Sequence, residues 1–391
     1  MKIYLTNRRL FGNYNYMIVR PYWLKKIHEA WRKRPIVWLA GVRRVGKTTL
    51  ARMIPDAVYL NCDLPSDARK LDDPELFFRS KKRKAIIILD EIHRLPDPTR
   101  ILKVAADSFP HLRILATGSS TLAATKKFRD ALTGRKITIH LLPVLWSECQ
   151  KEFGLPELDR RLWHGGLPEF LLSNEKDNSL FSEWMDSFYA RDIQELFAVR
   201  ERTGFLDLFR LLLRTSGGLV DYSQLSRECD LSRPTVKSYL EALTISLAIY
   251  PVRPFHGGGR KELLKRPKVY GFDTGFVTYV RGWNEIREED RGWLWEHLVL
   301  DCLRARTGGD GIFFWRDKSG REIDFVIPRG EEVDAYECKI NPERFDSESL
   351  WAFRQLYPRG RNYVVCPGIT EAYEWRSKGL IIKVTGCEEL L

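Results

Sequence analysis

Short apolar runs alternate with helix-period stretches through the first 145 residues. Residues 36–40, 58–61, 85–89 and 113–117 read as buried strands, and the segments between them space their apolar residues three and four apart. That alternation predicts a parallel sheet flanked by helices. Ahead of it, residues 21–33 read as a helix with Trp23, Leu24, Ile27 and Trp31 on one face. The strand signal fades after about residue 145. Residues 151–203 read as helical, broken at Gly165-Gly166-Leu167-Pro168, and residues 205–256 as helices with a sharp turn near 229–232. His256-Gly257-Gly258-Gly259-Arg260 reads as a flexible joint or hairpin tip. From about residue 290 a long helix precedes alternating strands, a second α/β unit. The expected class is α/β, in four parts: 1–150, 151–204, 205–256 and 257–391.

Composition narrows the function. A chain of 391 residues suits two to four domains, and 44% hydrophobic residues are enough to build cores, which excludes a disordered chain. Sixty-four Lys and Arg against 52 Asp and Glu leave a net charge of +12, which favours polyanionic partners such as DNA. The first 34 residues alone carry nine Lys or Arg against one acid, Glu29. No apolar run approaches the ~20 residues of a membrane span, so no membrane partner is expected. The opening MKIYLTNRRL lacks the apolar segment of a signal peptide. Seven cysteines, none at CxxC spacing, point to reduced thiols and a cytoplasmic location.

The first candidate chemistry is a phosphate loop. Gly41-Val42-Arg43-Arg44-Val45-Gly46-Lys47-Thr48 fits GxxxxGK[ST], between a predicted strand and a predicted helix that begins with Thr48-Thr49. Glycines let the backbone N–H groups curl toward phosphate oxygens, and the helix start adds positive charge. Lys47 suits the β- and γ-phosphates and the Thr48 hydroxyl suits Mg²⁺. An ATPase needs a second element, an apolar strand ending in an acid. Ala85-Ile86-Ile87-Ile88-Leu89-Asp90-Glu91 supplies it, with Asp90 for the metal and Glu91 as the base that polarises water. A third strand ends in Gly118-Ser119-Ser120, where Ser119 is a candidate γ-phosphate sensor.

GVRRVGKTTL, IIILDEIHRLPD, ILATGSS, LTGRKITIHLLPVLWSE and GGLPEF follow one another in an order that resembles a prokaryotic, archaeal-type AAA+ ATPase family. Members of that family carry a C-terminal domain similar to restriction-type nucleases. The resemblance implies a P-loop sheet of the ASCE type, with the catalytic-Glu strand beside the phosphate-loop strand. It also implies ATP and Mg²⁺, and draws attention to Arg135 as an arginine finger or sensor. A helix-capping role for Arg135 is the alternative. A GxRxxxR second sensor is not evident.

Two further patterns lie downstream. Residues 221–242 read as a helix-turn-helix: Leu225 on a short helix, then Ser232 capping a second helix that Pro234 can begin. Val236, Leu240 and Leu243 would be buried, while Arg233, Thr235, Lys237 and Ser238 face outward, suited to phosphates or base edges; a winged helix that only packs domains together is the alternative. The run 260–268 adds basic residues. In the last part, Ile323, Phe325 and Ile327 alternate with Glu322 and Asp324, and Tyr336, Cys338 and Ile340 with Glu337 and Lys339. A hairpin with a four-residue loop at 329–332 sets Pro328 against Val333, Asp324 against Glu337 and Glu322 against Lys339. Opposed carboxylates need an offset, such as a divalent metal. The spacing resembles that of PD-(D/E)xK nucleases, in which Asp324, Glu337 and the upstream Glu296 would hold a second metal and Lys339 would serve a water. A solvated strand face with a Glu322–Lys339 pair is the alternative.

The leading expectation is an ATP-binding ATPase coupled through a winged helix to a restriction-endonuclease-like domain. The alternative is an ATP-gated, STAND-like regulator that binds a protein partner or its own copies without cleaving nucleic acid.

Overall fold

The computed structural model describes residues 17–391 except 119–121, 123–124, 195–196, 198, 200 and 258–265. Pro21 opens the first helix, Pro21–Trp31, where its fixed φ and missing N–H cost nothing. Trp23, Ile27, Ala30 and Trp31 turn inward, and the Trp31 indole N–H donates to the Ile114 carbonyl at 2.9 Å.

Five parallel strands follow: β1 (Ile36–Ala40), β2 (Ala57–Asn61), β3 (Ile86–Asp90), β4 (Arg113–Thr117) and β5 (Lys136–His140), in the order β2-β3-β4-β1-β5. β1 is buried at every residue, as a strand covered on both faces must be. The four strands legible in the pattern are present. β5 goes beyond them: its Lys136-Ile137-Thr138-Ile139-His140 lies half-exposed at the sheet edge and lacks a solid apolar run. One implied feature is corrected. The strand leading to Glu91, β3, does not adjoin β1, because β4 lies between them, pairing Ile114 with Ile36 on one side and with Ile87 on the other. Ile114 to Thr117 are almost wholly enclosed, which suits a central position.

The second sheet has nine strands: β6 (Gly218–Leu219), β7 (Ile249–Pro254), β8 (Lys268–Gly271), β9 (Phe313–Arg316), β10 (Glu322–Arg329), β11 (Glu332–Cys338), β12 (Asn362–Val365), β13 (Tyr373–Ser377) and β14 (Leu380–Thr385). Their order is β13-β14-β12-β11-β10-β9-β7-β8-β6. β7 pairs antiparallel with β8 and parallel with β9, so one sheet runs across residue 257, where a division was expected. Helix Arg202–Arg214 packs on β8 and helix Arg233–Ile245 on β7, with helix Tyr222–Glu228 against Arg233–Ile245. The Ser232 hydroxyl accepts from the Thr235 N–H at 3.2 Å, capping the last of these helices. Val236, Leu240 and Leu243 are buried, while Arg233, Lys237 and Ser238 are exposed.

The break at Gly165-Gly166 has a steric cause. Asp273 caps helix Thr274–Val280 and accepts from the Gly166 N–H at 2.6 Å. A Cβ on Gly165 would stand 1.8 Å from the Asp273 carboxylate, and its φ is +82°. Only glycine allows this close docking of the helical segment onto the second sheet's domain.

Candidate functional site

β1 delivers the chain into the phosphate loop and helix Lys47–Arg52 carries it away. The carboxyl ends of the parallel strands thereby gather residues 41–49, Glu91 and Gly118 around one cavity of about 750 Å³. This is the end of an α/β sheet where ligands bind. The loop backbone is tight: a Cβ on Gly41 would meet the Leu141 carbonyl oxygen at 2.7 Å.

Asp90 is the centre of the polar network. Its Oδ2 accepts from Thr48 Oγ1 at 2.8 Å and from the Tyr59 hydroxyl at 2.6 Å, and its Oδ1 accepts from Thr117 Oγ1. Thr117 Oγ1 in turn accepts from the Glu91 N–H at 3.0 Å. Lys47 Nζ donates to the carbonyls of Gly41 and Val42 at 2.8 and 3.1 Å. Burial lowers its pKa, with Glu91 and Asp192 pulling the other way. Glu91 sits at φ 57°, in the left-handed region, which costs a carboxylate-bearing residue about 1–3 kcal/mol. The turn aims it into the cavity, with an oxygen 3.3 Å from His93 Nδ1.

The loop also reaches outside its own domain. Arg43 Nε pairs with Asp192 Oδ2 at 2.9 Å, and Arg44 with Glu183 and Glu169 at 2.5 and 3.4 Å. Trp184 Nε1 donates to the Arg43 carbonyl at 3.1 Å. Asp192 lies in a π-helical turn, Tyr189–Gln194, of the kind often found at functional sites. Pattern reading finds none of Thr117, Tyr59, His93 or Asp192. A buried hydroxyl at the end of an apolar strand, Thr117, was the one available signal.

Arg135 is not brought to this cavity. It lies just ahead of β5, at the opposite edge of the sheet, and its guanidinium holds both Asp107 carboxylate oxygens. Ser119 and the segment 260–265 lie outside the described residues.

The second candidate cluster lies on β10 and β11. The hairpin pairs Phe325 with Tyr336, Pro328 with Val333 and Arg329 with Glu332. The expected register therefore holds, but the loop is two residues, Gly330-Glu331, rather than four. Simple alternation fails: the register with β9 shifts between Ile323 and Val326. Ile323 thus packs in one core with Val326, and Phe325 in another with Tyr336. Bulges of this kind re-aim side chains next to functional sites. Asp324, inside it, accepts from the Cys338 N–H at 2.8 Å.

Glu322 does not pair with Lys339. Glu322 takes Lys268 Nζ at 2.5 Å, and Lys339 Nζ sits 2.9 Å from Glu337 Oε2. Lys268 also reaches Glu296 at 3.2 Å, and the Tyr270 hydroxyl donates to Glu296. Burial pushes the Glu337 carboxyl up to about 8 and the Glu296 carboxyl up to about 7, and Asp324 adds to both. Burial opposes the charge on Lys339, but Glu337 and Asp324 outweigh it and raise its pKa. Glu337 Oε1 is buried with no hydrogen-bond partner. Glu296, Asp324 and Lys339 line one pocket of about 580 Å³. The donors are all oxygen and one is unsatisfied, which suits a divalent cation. Among the described residues, however, no three His, Cys, Asp or Glu side chains stand together as a metal site.

No helix among the described residues is long and apolar enough to cross a membrane, and all seven cysteines are free. Residues 33–150 match the family described as AAA domain. Residues 155–287 and 291–387 match two families described as domains of unknown function, DUF8612 and DUF4143. Uncharacterized proteins of Mycobacterium tuberculosis and Mycobacterium bovis are each 27% identical over 356 residues, covering 88% of this chain and 79% of theirs. Among solved structures, the chain is similar to a Walker-type ATPase of Pyrococcus abyssi (TM-score 0.41, 16% identity, 66% of this chain and 94% of that one). It is also similar to a RuvB variant of Thermotoga maritima (TM-score 0.32, 16% identity, 59% and 89%). With the loop, its Thr48–Asp90 contact and the family match on the same residues, residues 33–150 are an AAA-type P-loop ATPase domain.

Proposed function

We propose that the chain is a cytoplasmic Mg-ATP-dependent ATPase that couples nucleotide binding and hydrolysis to a PD-(D/E)xK-like C-terminal domain acting on DNA. The observation that carries the nucleotide half is the Thr48–Asp90 contact at 2.8 Å beside Lys47 and Glu91. Residues 41–49 would wrap the phosphates with their N–H groups, and Thr48 and Asp90 would hold Mg²⁺. When bound, the ion neutralises charge on the β- and γ-phosphates. Lys47 would leave the Gly41 and Val42 carbonyls for phosphate oxygens. Glu91 would orient the attacking water and take its proton, with His93 steadying the carboxylate. Ser119, two positions past β4 in the sequence, would sense the γ-phosphate. Arg135, facing away from its own cavity, could act on phosphate only in a neighbouring copy, after releasing Asp107.

For the C-terminal half, Glu296, Asp324 and Glu337 would hold a second divalent ion and Lys339 would serve the water. Helices Arg202–Arg214, Tyr222–Glu228 and Arg233–Ile245 would form a winged helix with β6, β7 and β8, and the exposed Arg233 and Lys237 support DNA contact through it. A second reading, an ATP-gated regulator without cleavage, is favoured by a specific observation. Lys268 and Tyr270 engage Glu296, and Lys339 engages Glu337, so the carboxylates have partners within the chain.

ATP turnover and nucleotide binding test the first half. Lys47→Ala should lose Mg-ATP binding, whereas Glu91→Gln should bind and not turn over. Normal hydrolysis by Glu91→Gln would remove Glu91 as the base. Cleavage of duplex DNA in Mg²⁺ or Mn²⁺, lost in Lys339→Ala, separates the two C-terminal readings.

A further inference from the structure

Strands of a parallel sheet all enter from one edge. The loops that precede β1 to β5 therefore gather on the side opposite the phosphate loop: residues 32–35, 53–56, 80–85, 109–112 and 133–135. Backbone contacts fix their adjacency. The Arg113 N–H donates to the Ala85 carbonyl at 3.1 Å, and the Ile114 N–H to the Pro35 carbonyl at 2.9 Å. On the other side of β1, Ile36 pairs with Lys136.

The charge on this edge is one-sided. Arg32, Lys33 and Arg34 enter β1 and Lys82, Arg83 and Lys84 enter β3, all exposed. Arg113, half-buried at the start of β4, bridges the two groups. Its guanidinium and that of Arg32 both act on His28, whose pKa is lowered first by burial and then by these two charges. None of these seven side chains forms an ion pair among the described residues. The only acid in the five loops is Asp56, ahead of the outermost strand. Asp107, nearby on helix Pro98–Ser108, is taken by Arg135. Neighbouring strands are ~4.8 Å apart, so the band from β3 to β1 spans about 10 Å. Like charges at that density repel one another and gain only when a polyanion neutralises them.

The chemistry of the edge selects among polyanions. Phe109 and Leu112, the large apolar residues of the β4 loop, are buried, and none of the exposed large hydrophobic residues lies in these loops. A membrane surface would find nothing to insert, and the one exposed aromatic ring of these loops, the His111 imidazole, is too little for a run of unpaired bases to stack on. We propose that this edge binds the phosphate backbone of duplex DNA, on the face opposite the ATP cavity. The proposal goes beyond the reading given above, which puts DNA on helix Arg233–Ile245, and it stands independently of ATP hydrolysis.

The test is equilibrium binding of a labelled random-sequence duplex to the full chain between about 50 and 200 mM salt. The triple variant Lys82→Glu, Arg83→Glu, Lys84→Glu should weaken binding at least tenfold. It should also flatten the slope of log K against log salt by about 0.9 for each lost phosphate contact, about 2–3 in all. Its Mg-ATP binding should match the wild type, because the substitutions lie on the other edge of the sheet. Arg233→Glu with Lys237→Glu, on the helix assigned to DNA above, should flatten the slope separately by at most about 2 and leave the effect of the edge variant in place. Should the triple variant not fold, as judged by its thermal melt, Arg32→Gln, Lys33→Gln, Arg34→Gln replaces it with the same expectation. Three results would overturn the proposal: no duplex binding by the wild type, a slope unchanged in the folded edge variant, or loss confined to the Arg233/Lys237 variant. Binding to phosphatidylserine vesicles but not to duplex would assign the edge to membranes instead.

Discussion

Removing Glu148 should destabilise the ATPase domain out of proportion to the size of the side chain. Glu148 is 3% exposed and its partner Arg20 is 5% exposed. The guanidinium meets both carboxylate oxygens, Nε to Oε1 at 2.9 Å and Nη2 to Oε2 at 2.6 Å. Oε2 also accepts from Trp23 Nε1 at 3.3 Å and from the Leu145 N–H at 3.0 Å. Glu148→Ala leaves the Arg20 charge buried beside the Leu142 carbonyl it already serves at 3.0 Å, with nothing to balance it. Breaking a buried pair by removing one partner costs about 3–5 kcal/mol, a large share of the ~5–15 kcal/mol that holds a domain together. Arg20→Met with Glu148→Leu removes both charges and should recover more than half of that loss. Urea unfolding read by tryptophan fluorescence, with Trp23 as the local reporter, measures both. At an m-value of about 2 kcal/mol/M, the single variant should shift its midpoint down by about 2 M. A loss below about 1 kcal/mol in the single variant, or a double variant no better than the single, would refute the reasoning.

Lys176 gives a pH signature. Burial between Trp163 and Phe181 lowers its pKa to about 7, so between about 7 and 10.5 the unfolded chain holds a proton that the folded chain does not. Stability from this group is fully present above 10.5 and is lost as pH falls through 7. At about 1.4 kcal/mol per pH unit, Lys176→Met should add on the order of 2–4 kcal/mol at neutral pH and flatten the rise between pH 7 and 9. An unchanged pH profile in denaturant melts would show that Lys176 keeps its proton in the fold. For the carboxylate cluster, Mn²⁺ should raise the melting temperature of the Lys47→Ala protein without nucleotide. Adding Asp324→Asn should abolish that shift while leaving metal-free stability equal or higher, and a shift of undiminished size would remove Asp324 from the ion.

The phosphate loop is legible because its chemistry is backbone chemistry at fixed spacing: a strand, a glycine curl, a lysine and a helix start, all contiguous. Helix Arg233–Ile245 is legible for a similar reason, since Ser232 and Pro234 mark its start locally. What pattern reading misses is assembled across the chain. Thr117 and Tyr59 reach Asp90 from strands on either side of β3. Lys268 reaches Glu296 and Glu322 from β8, a strand that the composition assigned only to a basic run. The β10–β11 register could be calculated from alternation, but the bulge at Asp324 could not, because β9 imposes it.

The same cross-chain contacts give the two candidate sites a physical connection. The Arg43 carbonyl receives the Trp184 indole N–H, and Trp184 stacks on Phe272 with ring centroids 4.8 Å apart. Phe272 directly follows β8, whose Lys268 and Tyr270 hold Glu296. Rigid packed elements of this kind can carry a coupling free energy only if they have two arrangements that both ligands bias. The side chains that would have to change are identifiable. On the function proposed above, Arg43 would trade Asp192 for phosphate, and Lys268 and Tyr270 would yield Glu296 to an ion. In that exchange Lys268 keeps Glu322 as a partner, whereas Asp192 loses Arg43 and turns to solvent. Coupling through it would be reciprocal: the factor by which nucleotide changes ion affinity equals the factor by which the ion changes nucleotide affinity.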